Sequence, residues 1–180
     1  MDDRAWIATR KGLFELRRRG GRWGIARTSF VGEPVTMMLP PTPGGRMLAA
    51  LNLGHFGVKL HASDDGGASW QEVGAPTYPP QPEGAAGPPW KLVQVWSLEA
   101  AGGALLAGTL PGGLFRSTDR GATWQLDEAL WNVPQRVEWM GGGYDAPGIH
   151  SICPHPDGGV LVGVSVGGAW VAGAGDGAWR

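Results

Sequence analysis

The segment Ser63-Asp64-Asp65-Gly66-Gly67-Ala68-Ser69-Trp70 returns 54 residues later as Ser117-Thr118-Asp119-Arg120-Gly121-Ala122-Thr123-Trp124. Both copies read Ser-x-Asp-x-Gly-x-Ser/Thr-Trp, and each constrained type has a local use. A carboxylate at Asp65 or Asp119 can accept backbone N–H bonds inside a tight turn, and Ser63 or Ser117 can add another local bond. Gly67 and Gly121 suit turn positions that need positive φ. Ser69 or Thr123 then restarts a strand, and Trp70 or Trp124 is large enough to wedge between packed sheets. The octapeptide reads as a hairpin turn with an aromatic bolt, a structural unit with no chemistry of its own.

The repetition reaches beyond the octapeptide. Aligned on its tryptophan, the series is Trp23, Trp70, Trp124 and Trp179, with steps of 47, 54 and 55 residues. Upstream of each lies a Gly-apolar strand start at Gly12, Gly57, Gly113 and Gly168. Before those comes an apolar run ending in a small or polar residue, at Thr9, Asn52, Thr109 and Ser165. A further strand precedes three of these runs, at 35–39, 95–99 and 149–153. Each repeat is therefore four short strands, A to D, in about 50 residues. The apolar A and B strands fit positions packed on both faces.

The boxes and the strand pattern around them resemble the Asp-box, or BNR-repeat, proteins of the sialidase-like, glycosyl-hydrolase-like superfamily, and the resemblance covers the whole chain. It implies an all-β fold, a β-propeller of four-stranded antiparallel blades, incomplete at about 3.5 blades. The expected blades are about 4–28 (strands B to D), 34–74, 93–127 and 148–180, together one partial propeller over 1–180. The last box, Ala172-Gly173-Ala174-Gly175-Asp176-Gly177-Ala178-Trp179, has decayed. Open terminal blades would expose apolar faces, so another copy or further C-terminal blades are expected to close the ring.

Composition narrows the function classes. A net charge of −1 with mixed signs makes no case for nucleic acid or for a membrane surface. The basic run Arg17-Arg18-Arg19, followed by Arg22, reads as a solvated hairpin tip. The single cysteine, Cys153, excludes an internal disulfide, fits a reducing compartment and reads as a buried, inert thiol. Acidic residues at the N-terminus and the lack of an apolar run after them point to a cytoplasmic protein. No cofactor is expected. No metal is expected either, because strand alternation sends His150 and Cys153 to opposite faces and Pro154 disturbs the run.

Strand order decides which loops share a face. The octapeptides are C-to-D turns, whereas the long connections at 74–92 and 127–148 are D-to-A and emerge on the opposite side with the B-to-C turns. Loops on a rigid scaffold carry function more often than the scaffold does. The candidate ligand-binding residues are thus Arg10, Lys11, Asn52, His55, Trp90, Lys91, Trp96, Arg136, Trp139 and His150. Trp96 and His150 hold equivalent positions in their blades, with Thr36 as the third. Aromatic rings and mixed charges around a mouth suit a carbohydrate or another small polar ligand.

Sialidases of this fold use three arginines on the substrate carboxylate, a Tyr/Glu nucleophilic pair and an Asp acid. Glu138, Tyr144 and Asp145 are the residues that could form part of such a set. The Phe/Tyr-Arg-Ile/Leu-Pro motif and a complete arginine triad are missing from this chain, so no catalytic set is assigned. Three readings stand: a carbohydrate-binding propeller, a glycoside hydrolase of exo-sialidase type completed by other blades, and a protein-interaction or assembly scaffold of the sortilin or photosystem-assembly kind.

Overall fold

A computed structural model describes residues 3–85, 87–175 and 177–180; Asp176 of the decayed box lies outside them. The chain is nearly all β, with four antiparallel sheets of three or four strands each. Contacts divide it into two compact units, Met1–Glu72 and Val73–Arg180. No helix among the described residues is long and apolar enough to cross a membrane.

The first unit holds two meanders. One is β1 (Arg4–Thr9), β2 (Gly12–Arg19) and β3 (Arg22–Ser29); the other is β4 (Val35–Leu39), β5 (Met47–Asn52), β6 (Val58–Ser63) and the short β7 (Gln71–Val73). Leu13, Val35, Ala49 and Leu51 form the core between them, with Trp6, Ala8, Phe30 and Trp70 packed against it. Trp70 is the expected bolt: its indole nitrogen donates to Ser29 Oγ (3.2 Å) and its ring tilts onto Phe30 at 5.2 Å.

Glu15 is buried on β2. Burial alone would raise its carboxyl, but the Arg17 hydrogen bond and the charges of Arg4 and Arg17 outweigh this and hold it below the ordinary carboxylate value. Arg17 is therefore not simply solvated, as expected from sequence: its Nε lies 2.6 Å from Glu15. Arg4 and Arg27 also donate to the Gly66 carbonyl (2.8 and 3.1 Å), which ties the first octapeptide to β1 and β3. The register pairs Ile7 with Phe14 and Leu16 with Ile25, so the sheet face turned from Leu13 is apolar. Ile7 and Ile25 remain exposed on it.

The second unit holds β8 (Gln94–Ala101), β9 (Ala104–Leu110), β10 (Leu114–Ser117) and β11 (Gln125–Leu126) in one sheet. The other sheet is β12 (Ile149–Pro154), β13 (Val160–Val164) and β14 (Gly168–Ala172), with Trp179 bridged to Ala172. A single helical turn, α1 (Glu128–Trp131), and a 3-10 turn, Pro134–Glu138, interrupt the long connection. Leu106, Leu114, Leu130, Ile149 and Val162 form the core. Cys153 is exposed rather than buried. Ile152 takes the inward position and Cys153, paired with Leu161, faces outward beside Val171.

Both octapeptides fold alike. Asp65 Oδ1 accepts from the amides of Ala68 and Ser69 (both 2.9 Å), Asp65 Oδ2 from the Ser69 hydroxyl (2.6 Å), and Ser63 Oγ from the Gly67 amide (2.8 Å). Asp119 accepts from the Thr123 amide (2.9 Å) and hydroxyl, and Ser117 Oγ from the Gly121 amide (2.8 Å). Gly67 and Gly121 have φ of 83° and 88°. Hydrogen bonds from the Ser69 and Thr123 hydroxyls, then from their amides, stabilise the ionised carboxylates; Asp119 drops to about 2 and Asp65 further. Folded pKa values below the unfolded one mean that this stability is complete above about pH 4 and fades toward pH 2. Acid titration of the thermal midpoint should therefore show a fall over that window, and it should be shallower in Asp65→Asn/Asp119→Asn. An unchanged acid limb in the double variant would show that the turns do not contribute.

Candidate functional site

Meander topology sends the 127–148 connection away from the octapeptide end of β8–β11. Asp127 N bonds the Leu114 carbonyl, so the connection departs where β10 begins, beside the β9–β10 turn. At this end a feature absent from the sequence reading organises the side chains. β12 carries a bulge: Ile149 pairs with Val164, but Ser151 pairs with the next residue, Gly163, leaving His150 as the extra residue. The same irregularity leaves Trp96 extra on β8 and, in the first unit, Thr36 on β4. A bulge re-aims the side chain it carries, and here it recurs at the three positions recognised as equivalent.

In the second unit the bulges bring Trp96 and His150 to 6.1 Å ring to ring, and Tyr144 stands edge-on to Trp96 at 5.4 Å. Glycines make the room. A Cβ at Gly148 would lie 2.4 Å from the Trp96 ring, and one at Gly163 would lie 2.9 Å from His150. Half-buried Trp96 and exposed Tyr144 and His150 thus form one aromatic shelf. The bulge also overturns the alternation argument: the His150 ring lies on the Gly163 side of the sheet, which is the side of Leu161 and Cys153. Among the described residues no three His, Cys, Asp or Glu side chains gather as metal ligands.

A second aromatic group surrounds Arg136. Its guanidinium lies 3.2 Å from the centre of the Trp131 ring and 6.0 Å from that of Trp90, and the two indoles meet edge to face at 5.2 Å. Trp131 leans in turn on Tyr78, and Tyr78 on Phe115, each at 5.0 Å. Burial lowers the Arg136 guanidinium from its usual value, and among the described residues no carboxylate pairs with it. Trp139 is buried, its ring 5.5 Å from Trp170. Lys91 is exposed, as are the carboxylates of Glu138 and Asp145. A glycosidase proton donor draws on apolar enclosure, which neither carboxylate has.

The remaining candidates belong to the first unit. Arg10 and Lys11 are exposed in the β1–β2 turn, where Thr9 Oγ1 accepts from the Lys11 amide at 2.9 Å. Asn52 accepts from the Gly54 amide at 3.2 Å, and the exposed His55 ring meets Phe56 at 5.9 Å. The sequence reading missed Tyr78 and Trp131 as supports. Tyr78 sits in a Pro-rich stretch that offers no strand periodicity, and Trp131 reads as one more loop aromatic.

No family model matches the chain, and no curated protein matches it. Solved structures do. The chain superimposes on YCF48 bound to a D1 peptide with a TM-score of 0.52 at 16% identity, over 99% of this chain and 51% of that one. YCF48 from Cyanidioschyzon merolae gives 0.55 at 16% identity with the same coverage. The GH74 xyloglucanase of Xanthomonas campestris gives 0.59 at 17%, over 97% of this chain and 26% of that one. The fold is an incomplete β-propeller, and the chain spans about half the length of the YCF48 structures.

Proposed function

We propose that the chain is part of an Asp-box propeller of the sialidase-like kind that binds a carbohydrate or similar polar ring, at the end of its sheets remote from the octapeptide turns. The observation that carries this is the convergence of Trp96, Tyr144 and His150 within about one ring width. Aromatic edges and faces supply stacking surface, and the phenol and imidazole supply polar handles that orient a hydroxylated ligand. The likeness to a xyloglucanase adds a carbohydrate-active protein on the same scaffold.

Glycan-array binding followed by calorimetry tests the reading. Tyr144 is exposed, so Tyr144→Ala should leave the thermal midpoint in place and weaken binding about tenfold, the worth of one stacked ring. Absence of any glycan ligand would remove the carbohydrate reading. YCF48 bound to a D1 peptide favours peptide binding as the second reading, and a peptide array with the same variant separates the two. Catalysis by Glu138, Tyr144 and Asp145 has less support, given their exposure. It predicts release of 4-methylumbelliferone from glycosides that Asp145→Asn abolishes. The apolar outer faces at Ile7 and Ile25, and at Leu161 and Val171, also call for a cover, either further blades or another copy.

A further inference from the structure

Three tryptophans of the repeat series donate their indole N–H to a residue at, or just past, the end of the preceding outer strand. Trp70 donates to Ser29 Oγ (3.2 Å), Trp124 to the Gly74 carbonyl (2.9 Å) and Trp179 to Asp127 Oδ1 (3.2 Å). Trp23, the first of the series, has no acceptor among the described residues and is 50% exposed. It pairs with Arg18 on the face of β1–β3 that also exposes Ile7 and Ile25. The first sheet thus carries a tryptophan without a seat.

The last sheet carries a seat without a tryptophan. Trp70 lies beside Trp6 and Glu15, which pair across β1 and β2, and it fills the space there to within about 10 Å³. Glu15 stands three residues after Gly12, and Val171 three after Gly168. Val171 pairs with Leu161 as Glu15 pairs with Trp6. At this equivalent place the β12–β14 sheet has an apolar recess of about 430 Å³, lined by Leu161, Val171, Cys153 and Pro154, with the exposed Asp157 at its rim. We propose that this recess seats Trp23 of a second copy, so that copies join head to tail, first sheet to last. Both halves of the contact lie on one chain, so a second copy supplies what each sheet lacks. Exposed apolar faces such as those of Ile7 and Ile25, and of Leu161 and Val171, mark interaction sites. Arg18 beside Trp23 and Asp157 beside the recess bring opposite charges to the rim. Two different faces meet, so the interface is heterologous. It goes beyond the ligand-binding reading and does not depend on what the Trp96 shelf holds.

Sedimentation of the full chain over a concentration series tests this, with maleimide labelling of Cys153 in parallel. Association should rise with concentration and labelling should slow with it, because Cys153 lines the recess. Trp23→Ala and Val171→Lys change two exposed positions. Each should weaken association about thirtyfold or more, the effect of losing a hot-spot tryptophan, while circular dichroism reports that the variants are folded. Each variant keeps the half of the contact that the other lacks. An equal mixture of the two should therefore associate where each alone is monomeric. A chain that is monomeric at every concentration overturns the proposal, and is the result expected if further blades of a longer polypeptide cover these faces. Association that both variants retain overturns it too, as does a mixture that stays monomeric.

Discussion

Tyr78→Ala is expected to destabilise the second unit by about 3–5 kcal/mol, the range for deleting a buried aromatic side chain. Tyr78→Phe should cost about 1–3 kcal/mol, because it strands buried polar partners while keeping the ring. The residue lies in the Pro-rich connection at 74–92 yet is 7% exposed. Its hydroxyl accepts from the Gly113 amide at 2.9 Å and is bonded to Thr109 Oγ1. Thr109 spends its own proton on the Gly113 carbonyl (2.9 Å), so the phenol must donate to Thr109. Both the ring and the hydroxyl therefore hold the connection onto the β9–β10 turn, and burial raises the phenol's pKa accordingly. Urea unfolding measures the loss, and hydrogen exchange at the Gly113 amide should quicken in the Phe variant. If Tyr78→Phe leaves both unchanged, the hydroxyl is not an anchor. Because Trp131 leans on Tyr78 and carries the Arg136 guanidinium on its ring, the Ala variant should also loosen Arg136.

The fold was legible because its turns carry their own chemistry. Asp65 and Asp119 are needed by the turn geometry itself, so the octapeptide could be read without any tertiary knowledge. Strand B was legible as well: residues 47–51 and 104–110 are buried along their length, and a run covered on both faces must be apolar throughout. The bulges at Thr36, Trp96 and His150 were not legible. A bulge needs one residue more than its partner strand, and no residue type marks it. Strict alternation therefore misplaced His150 relative to Cys153. Burial at Cys153 failed for a related reason, since an apolar run does not say which of its faces a neighbour covers. The equivalence of Trp96 and His150 was still visible from spacing alone, because both stand at the same point of their repeats. Trp139 reads from sequence as a ligand-binding residue of the long connection, but packing buries it against Trp170, and burial of a loop tryptophan leaves no trace in composition.

Gly108→Ala is expected to cost about 3 kcal/mol, at the upper end for overpacking, or to prevent folding of the second unit. Gly108 faces Ser97 across β8 and β9, and Ser97 Oγ crosses to the other sheet to donate to the Ile149 carbonyl at 2.9 Å. A Cβ at 108 would lie 2.2 Å from that hydroxyl, 2.6 Å from the Ile149 carbonyl oxygen and 2.7 Å from its Cγ2. The hydroxyl can rotate away, but the carbonyl belongs to a paired strand, so β12 itself must move. Ser97→Ala/Gly108→Ala should therefore recover only part of the loss. Equal stability of that double variant and Ser97→Ala would show that the backbone yields easily. Gly163 offers the control. It faces Ser151 in the same register, but a Cβ there would meet side chains alone, the Ser151 hydroxyl at 2.4 Å and the His150 ring at 2.9 Å. Both can turn, so Gly163→Ala should cost no more than about 1 kcal/mol. The ring that turns is one wall of the aromatic shelf. Calorimetry on Gly163→Ala should then show ligand affinity falling while the urea midpoint holds, the reverse of what Gly108 controls.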